Sequence, residues 1–180
     1  MDNEDKLAWC KHGEALESRF ISEIAPLAKI NAEINPEKIA GDKYAHDLMA
    51  NGKKADLKCV NTPFFRARDH GFTPDNTVTF NHKDYLRYMY KYPDLWVLFW
   101  VKWEDQERYG IKVHARHGLW IASMEMIDNL ITHRRTGFHR YMNRTEDNQG
   151  NAKSSHIISI GDLRCRWLSP EHRVSSLVYE

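Results

Sequence analysis

No apolar run in this 180-residue chain exceeds seven residues, the longest being Leu95–Val101 (LWVLFWV). A membrane-spanning helix needs roughly 20, so no bilayer span is expected. The leading residues, MDNEDKLAWCKHGE, are charged throughout and lack the apolar stretch of a secretory signal. Cysteine is scarce. Cys10, Cys59 and Cys165 are odd in number and far apart, which argues against a disulfide framework and a CxxC zinc pair and fits a reducing compartment. There is no Walker-type glycine loop and no GxSxG elbow, so nucleotide hydrolysis and serine hydrolysis have no support. An excess of either charge is missing too. Lys plus Arg number 26 against 25 for Asp plus Glu, a net +1 that excludes a polycation or an acidic tail and leaves partners to be read from local charge. These features predict a soluble, cytoplasmic protein.

What is present suffices for one domain with a sizeable core: 42% of residues are apolar and 12% aromatic, with no repeat and no linker. Leu16, Phe20, Ile24 and Leu27 recur at helical spacing, predicting a helix over about Glu4–Ile24 that Pro26 ends. Asn35-Pro36 and Gly41 predict a loop. Asn51-Gly52 is a strong type I′ hairpin turn, with strands expected at about Ala45–Ala50 and Lys53–Val60. A polar loop with Pro63, Gly71 and Pro74 leads to a short strand, Thr77–Phe80. A helix capped by Asn81 spans His82–Tyr90, and Leu95–Val101 reads as a central strand covered on both faces. Further strands are expected at Ile111–Val113, Leu119–Ala122 and His156–Ile160, and a helix at Met124–Arg134 with Gly137 as its stop. Trp96, Phe99, Trp100, Trp103 and Trp120 read as core and strand-edge aromatics. The expected class is α/β, one domain with a mixed β-sheet flanked by helices.

In a two-residue hairpin, paired residue numbers sum to 103, so Asp47 is expected opposite Asp56 on one face, with Lys58 beside Asp56. His46, Leu48, Ala55, Leu57 and Cys59 are expected on the other, apolar face. Like charges opposite one another destabilise a strand pair, by about 3 kcal/mol at 5 Å and an effective dielectric near 20. Lys58 offsets part of this, and a divalent cation would offset more, since hard oxygen ligands suit Mg²⁺. The alternative is a hairpin face that is merely solvated. Glu17, one turn before Phe20 and Ile21, puts a further carboxylate at the edge of the buried helix face, with Glu14 one turn earlier.

Together, HGEALESRF and AHDLMANGKKADLK resemble the PD-(D/E)xK nuclease superfamily, in which a Glu-bearing helix precedes a strand with Asp, a hairpin turn and a strand with (D/E)xK. The spacing of Gly13, Glu17 and Phe20 is similar to the first helix of archaeal Holliday-junction resolvases. The resemblance covers about residues 12–60; His46 stands where Pro is usual and DxK replaces ExK. It implies a restriction-endonuclease-like fold with its core at about 12–103 and a C-terminal extension over 104–180. It also implies a Mg²⁺-dependent endodeoxyribonuclease, with Mn²⁺ able to substitute. The implied site is Asp47 and Asp56 as metal ligands, Glu17 (or Glu14) as the helix carboxylate and Lys58 as the catalytic lysine. DNA is then the expected partner, a homo-oligomer the expected assembly and the nucleoid the expected location when bound.

The segment 133–156 interleaves Arg134, Arg135, Arg140, Arg144 and Lys153 with Phe138, His139 and Tyr141, as contact with a phosphate backbone needs. Asn148–Asn151 is expected to turn there. Arg66 and Arg68 follow the DxK strand and join the expected DNA contacts. His114 and His117 are weak as a zinc pair, and Asp69-His70, Asn76 and His82 are too compressed for an HNH site. A non-catalytic DNA-binding or regulatory module on the same fold is the alternative function; there Asp47 and Asp56 would pair with Lys or Arg.

Overall fold

The computed structural model describes residues 13–42, 45–141 and 154–173. Residues 13–19 are the described part of α1, which passes into a π-turn over Phe20–Ile24 with Phe20 and Ile24 buried. The expected helix start at Glu4, Cys10, the Asn148–Asn151 turn, Arg144 and Lys153 lie outside the described residues.

The Asn51-Gly52 turn forms as expected, with φ of 50° and 75°, the positive values that a type I′ turn demands. It joins β2 (Leu48–Ala50) to β3 (Lys53–Val60), and the register Leu48↔Ala55, Met49↔Lys54, Ala50↔Lys53 keeps the sum of 103. β1 (Ala32–Ile34) pairs antiparallel on the far side of β2, after which α2 (Pro36–Ile39) occupies what was expected to be loop. Asn35 caps α2 by accepting the Glu37 N–H at 3.1 Å, and Pro36 supplies the preset first turn. β4 (Thr77–Asn81) leads into α3 (His82–Lys91), whose cap Asn81 accepts the Lys83 N–H.

The chain then crosses to β5 (Trp96–Trp103), which pairs parallel to β3. The hairpin of β6 (Gln106–Arg108) and β7 (Ile111–Val113) follows, then β8 (Arg116–Ser123) and α4 (Met124–Thr132). The expected stop at Gly137 is corrected. His133 ends α4 and Arg134 takes the left-handed φ of 55°, while Gly137 opens β9 (Gly137–His139). β10 (Ser155–Ser159), β11 (Arg164–Leu168) and α5 (Pro170–Arg173) complete the described chain.

The main sheet has the order β1-β2-β3-β5-β8-β11 and is antiparallel except at β3–β5; β4-β10-β9 form a second sheet. The fold is thus mixed α/β, a six-stranded mixed sheet flanked by helices in one compact domain. Each face of the main sheet buries its own cluster. Val97, Phe99 and Val101 of β5 pack with Phe80, Tyr88, Met124, Ile127 and Ile158. Leu98 and Trp100 point the other way, to Phe20, Ile24, Leu48, Ala50 and Leu57. This double burial explains the continuous apolar run of β5. Phe99 is fully buried and Trp100, Trp103 and Trp120 nearly so, as core aromatics should be. Among the described residues no helix is long and apolar enough to cross a membrane.

Candidate active site

Glu17 faces inward from α1, only 7% exposed, because the helical period that buries Phe20 turns the preceding residue three back toward the sheet. Its Oε1 accepts from Lys38 Nζ on α2 at 2.5 Å. Lys38 also reaches Asp47 Oδ1 at 3.0 Å, so one ammonium bridges the helix and hairpin carboxylates. Asp47 Oδ2 accepts the Leu57 backbone N–H at 3.1 Å, fixing the carboxylate against β3.

Asp56, on β3, is 3% exposed and turned to the α3 side, while Ala55 and Leu57 turn to the α1 side. Tyr88 of α3 donates its hydroxyl to Asp56 Oδ1 at 2.6 Å. Lys58 meets Asp56 Oδ2 at 2.7 Å in an ion pair and donates to Asp84 Oδ2 at 3.0 Å. Arg87 closes the ring, donating to Asp84 Oδ1 at 3.1 Å and to the Tyr88 oxygen at 2.8 Å. Asp84, Arg87 and Tyr88 lie three and four residues apart, on one face of α3.

Four carboxylates therefore face three cations: Glu17, Asp47, Asp56 and Asp84 against Lys38, Lys58 and Arg87. Glu17 Oε2 is buried without a hydrogen-bond donor, and the buried Asp56 Oδ2 is met only by the Lys58 ammonium. Burial raises the Glu17 carboxyl above the ordinary range against the opposing pull of Lys38. Burial likewise raises Asp56, with Lys58 opposing. Burial favours the neutral form of Lys58, but Asp56, Tyr88 and Asp84 outweigh it and hold the ammonium above the usual lysine range. The Tyr88 phenol is raised by burial and by Asp56, and burial pushes the neighbouring Cys59 thiol up to about 12. Lys58 is thus a fixed positive charge that can orient or stabilise an anion. It is not a proton acceptor near neutral pH.

Of the sequence-predicted residues, Glu17 and Asp47 share Lys38, while Asp56 and Lys58 pair with each other beside Asp84; Glu14 is exposed. Two expectations are corrected. Asp47 does not face Asp56 in a ladder pair, because β2 begins only at Leu48, and each carboxylate takes its own lysine, which offsets part of the repulsion that Asp47 still exerts on Asp56. His46 does not lie on the apolar face with Leu48. Outside the strand its alternation lapses, and its ring packs edge-on to Tyr92, 5.3 Å away, with Asn35 Nδ2 at 3.3 Å from Nδ1. Sequence reasoning missed Lys38, Asp84, Arg87 and Tyr88. The D-x-x-R-Y spacing on α3 was a helical-face pattern available to be read, whereas nothing local marks Lys38.

Of the expected DNA contacts, Arg66 and Arg68 lie exposed on the 3₁₀ turn Phe65–His70, and Arg66 reaches Asp69 at 3.4 Å. That turn adjoins β9: Phe64 stacks edge-on to His139 with centroids 5.1 Å apart, and His70 Nε2 lies 3.1 Å from His139 Nδ1. Arg140 is exposed and lies over the Phe138 ring, which packs on His82 and His156 rather than on that turn. Arg135 is tied to Asp162, while Arg134 is exposed at the end of α4. The faint HNH set disperses. His70 joins His139, Asn76 donates to Ser159 at 3.2 Å, and His82 Nδ1 sits 2.9 Å from His156 Nε2. His117 accepts the Trp100 indole N–H at 3.4 Å, away from any zinc pair with the exposed His114. Among the described residues, no three His, Cys, Asp or Glu side chains gather around one point as a ready metal cage.

Comparison of this chain with protein-family models, with curated proteins and with solved structures gave no match.

Proposed function

We propose that this protein is a divalent-metal-dependent DNA endonuclease of the PD-(D/E)xK type. The observation that carries the reading is convergence. Glu17 on the helix, Asp47 just before β2, and Asp56 and Lys58 on β3 fall into two neighbouring, partly buried ion-pair sets with a carboxylate excess, Glu17–Lys38–Asp47 and Asp56–Lys58–Asp84, joined where Asp47 accepts the Leu57 N–H beside Asp56. The order α1, β1, α2, the β2–β3 hairpin, β4, α3 and parallel β5 contains the helix, hairpin, strand, helix and apolar strand that the resemblance implies, with β1 and α2 added between the first helix and the hairpin.

The donor set fits a hard divalent cation. The side-chain oxygens of Glu17, Asp47 and Asp56 would hold it, Glu17 Oε2 lacks a donor, and the Lys38 ammonium already marks a cation position between Glu17 and Asp47. Bound there, such an ion supplies Lewis-acid polarisation of a phosphate and a more acidic water. Lys58, held charged by Asp56 and Asp84, stabilises negative charge developing on the phosphate. Tyr88 and Arg87 fix Asp56 and Asp84 in place, so that Lys58 is aimed by a rigid frame. A homo-oligomer that cuts both strands of a duplex belongs to the same proposal.

The ion pairs Asp47–Lys38 and Asp56–Lys58 also favour a second reading, a non-catalytic DNA-binding module in which lysines replace the metal permanently. Incubation of supercoiled plasmid and of branched DNA with Mg²⁺ or Mn²⁺ separates the two. The nuclease converts plasmid or branch in a metal-dependent way, and Asp56→Asn and Lys58→Ala abolish conversion. DNA binding without cleavage on either substrate selects the second reading.

A further inference from the structure

Beyond the C-terminal ends of β3 and β5, the turn Phe65–His70 and the β6–β7 hairpin flank an open cleft of about 420 Å³ lined by Phe65, Arg66, Arg68, Asp69, Tyr109 and Ile111. Crevices outside the carboxyl ends of neighbouring parallel strands are habitual ligand sites, and this volume is within the range that small organic groups fill. The lining has a definite chemistry. Arg66 and Arg68 contribute two cations against the single carboxylate of Asp69, and Arg108 stands over the Phe65 ring with its guanidinium 5.7 Å from the centroid. An anion is therefore favoured at the mouth.

Tyr109 gives the second half of the argument. It lies 82% exposed at the tip of the hairpin, in the left-handed conformation at φ 55°, followed by Gly110 at φ 70°. A tyrosine is a poor choice for positive φ, which Asn or Gly adopts more easily. It is costly there, yet it lines the cleft and buries little of its ring. An exposed aromatic face over an arginine-lined cleft is the arrangement by which proteins hold unpaired nucleotides, with bases stacking on the ring and phosphates meeting the cations.

We infer that this cleft holds an unpaired nucleotide of a single-stranded stretch of nucleic acid, with Tyr109 stacking on the base and Arg66 and Arg68 receiving the adjoining phosphates. The inference rests on the nuclease reading for its substrate and deepens it. Asp56 lies four residues before the end of β3, about 13 Å at the strand rise. The cleft would thus engage the strand a few nucleotides from the carboxylates, and the preferred substrate would carry a single-stranded arm or flap.

The test is fluorescence anisotropy in EDTA, with a labelled oligothymidylate and a blunt duplex of equal length, so that no cleavage is required. Tyr109→Asn keeps the left-handed turn and removes the ring, Arg68→Ala removes a cation, and Tyr90→Ala, on exposed Tyr90 of α3, controls for loss of any surface aromatic. Each variant is confirmed folded by circular dichroism. Tyr109→Asn is expected to weaken oligothymidylate binding about tenfold while leaving the duplex and Tyr90→Ala unchanged. Arg68→Ala is expected to weaken it and to flatten the salt dependence by about one phosphate. Unchanged oligothymidylate affinity in Tyr109→Asn, or equal losses on duplex and single strand, overturns the inference. Should the protein cleave plasmid while Tyr109→Asn binds normally, the cleft assignment fails and the nuclease stands. Tyr109-dependent binding of single strands with no cleavage anywhere has the opposite meaning.

Discussion

Replacing Lys58 with Met tests the polar network at its most loaded point. The ammonium meets Asp56 at 2.7 Å and Asp84 at 3.0 Å, and Asp56 is 3% exposed, so the substitution leaves a buried carboxylate with Tyr88 as its sole remaining donor. Breaking a buried pair by removing one partner costs about 3–5 kcal/mol, which for a chain of this size lowers Tm by about 10 °C. Asp56→Asn, which keeps an acceptor for Tyr88 and leaves Lys58 with Asp84, should cost about 1–3 kcal/mol. In the double variant no uncompensated charge remains at position 56, and a double-mutant cycle by urea unfolding should show coupling of about 2 kcal/mol or more. The pH dependence has a definite sign. Asp56 already has a raised carboxyl pKa, and a group of that kind stabilises the fold below its unfolded value and loses that stabilisation as pH rises through its folded value. The Lys58→Met defect should therefore be smaller at pH 5 than at pH 8. A loss under about 1 kcal/mol, or additivity within about 0.5 kcal/mol, would refute the claim that these groups form one buried electrostatic unit.

Four other outcomes are expected. Lys38→Met should lower Tm in EDTA and then gain more from added Mg²⁺ than the wild type does. The gain approaches about 2.7 kcal/mol at a hundredfold excess over Kd, and equal Mg²⁺ responses would contradict a shared cation position. Tyr88→Phe removes the donor to Asp56 at 2.6 Å and should cost about 1–3 kcal/mol by urea titration. Gly118→Ala would put a methyl 2.8 Å from the Trp167 carbonyl and 2.6 Å from the Trp120 ring, an overpacking worth about 1–3 kcal/mol; a change below about 0.5 kcal/mol would show that β11 yields. Burial and then His82 push the His156 imidazole down to about 4. A depressed folded value means that stability is full above the ordinary histidine pKa and is lost as pH falls from about 6.5 toward 4, by up to about 3 kcal/mol. His156→Gln should flatten that acid limb, which thermal scans at stepped pH would show.

The hairpin was legible because its information is local. Asn51-Gly52 dictates the turn, the turn dictates the register, and the register puts Lys58 beside Asp56. β5 and α3 were legible for similar reasons, an uninterrupted apolar run and an asparagine cap. The three-residue strands β1, β6 and β9 left no period to read, so that β6 lies inside Glu104–Gly110, a stretch whose polarity and glycine predict only a turn. Half of the candidate site was also invisible. Lys38 reaches Glu17 across 21 residues and Lys58 reaches Asp84 across 26, contacts that exist only once α2 and α3 dock on the sheet. Sequence spacing anticipated repulsion between Asp47 and Asp56, and tertiary packing answered it with separate lysines.

The central claim is that the carboxylates of Glu17, Asp47 and Asp56 form a divalent-cation site. Calorimetric titration of the purified protein with Mn²⁺ addresses it without DNA. A cation site predicts saturable binding that releases protons below neutral pH. It also predicts at least a tenfold weaker affinity in folded Asp47→Asn and Glu17→Gln variants, with Glu14→Gln unchanged. No saturable heat in the wild type, or affinities that these substitutions leave alone, would contradict it and leave the lysine-paired, non-catalytic module in its place.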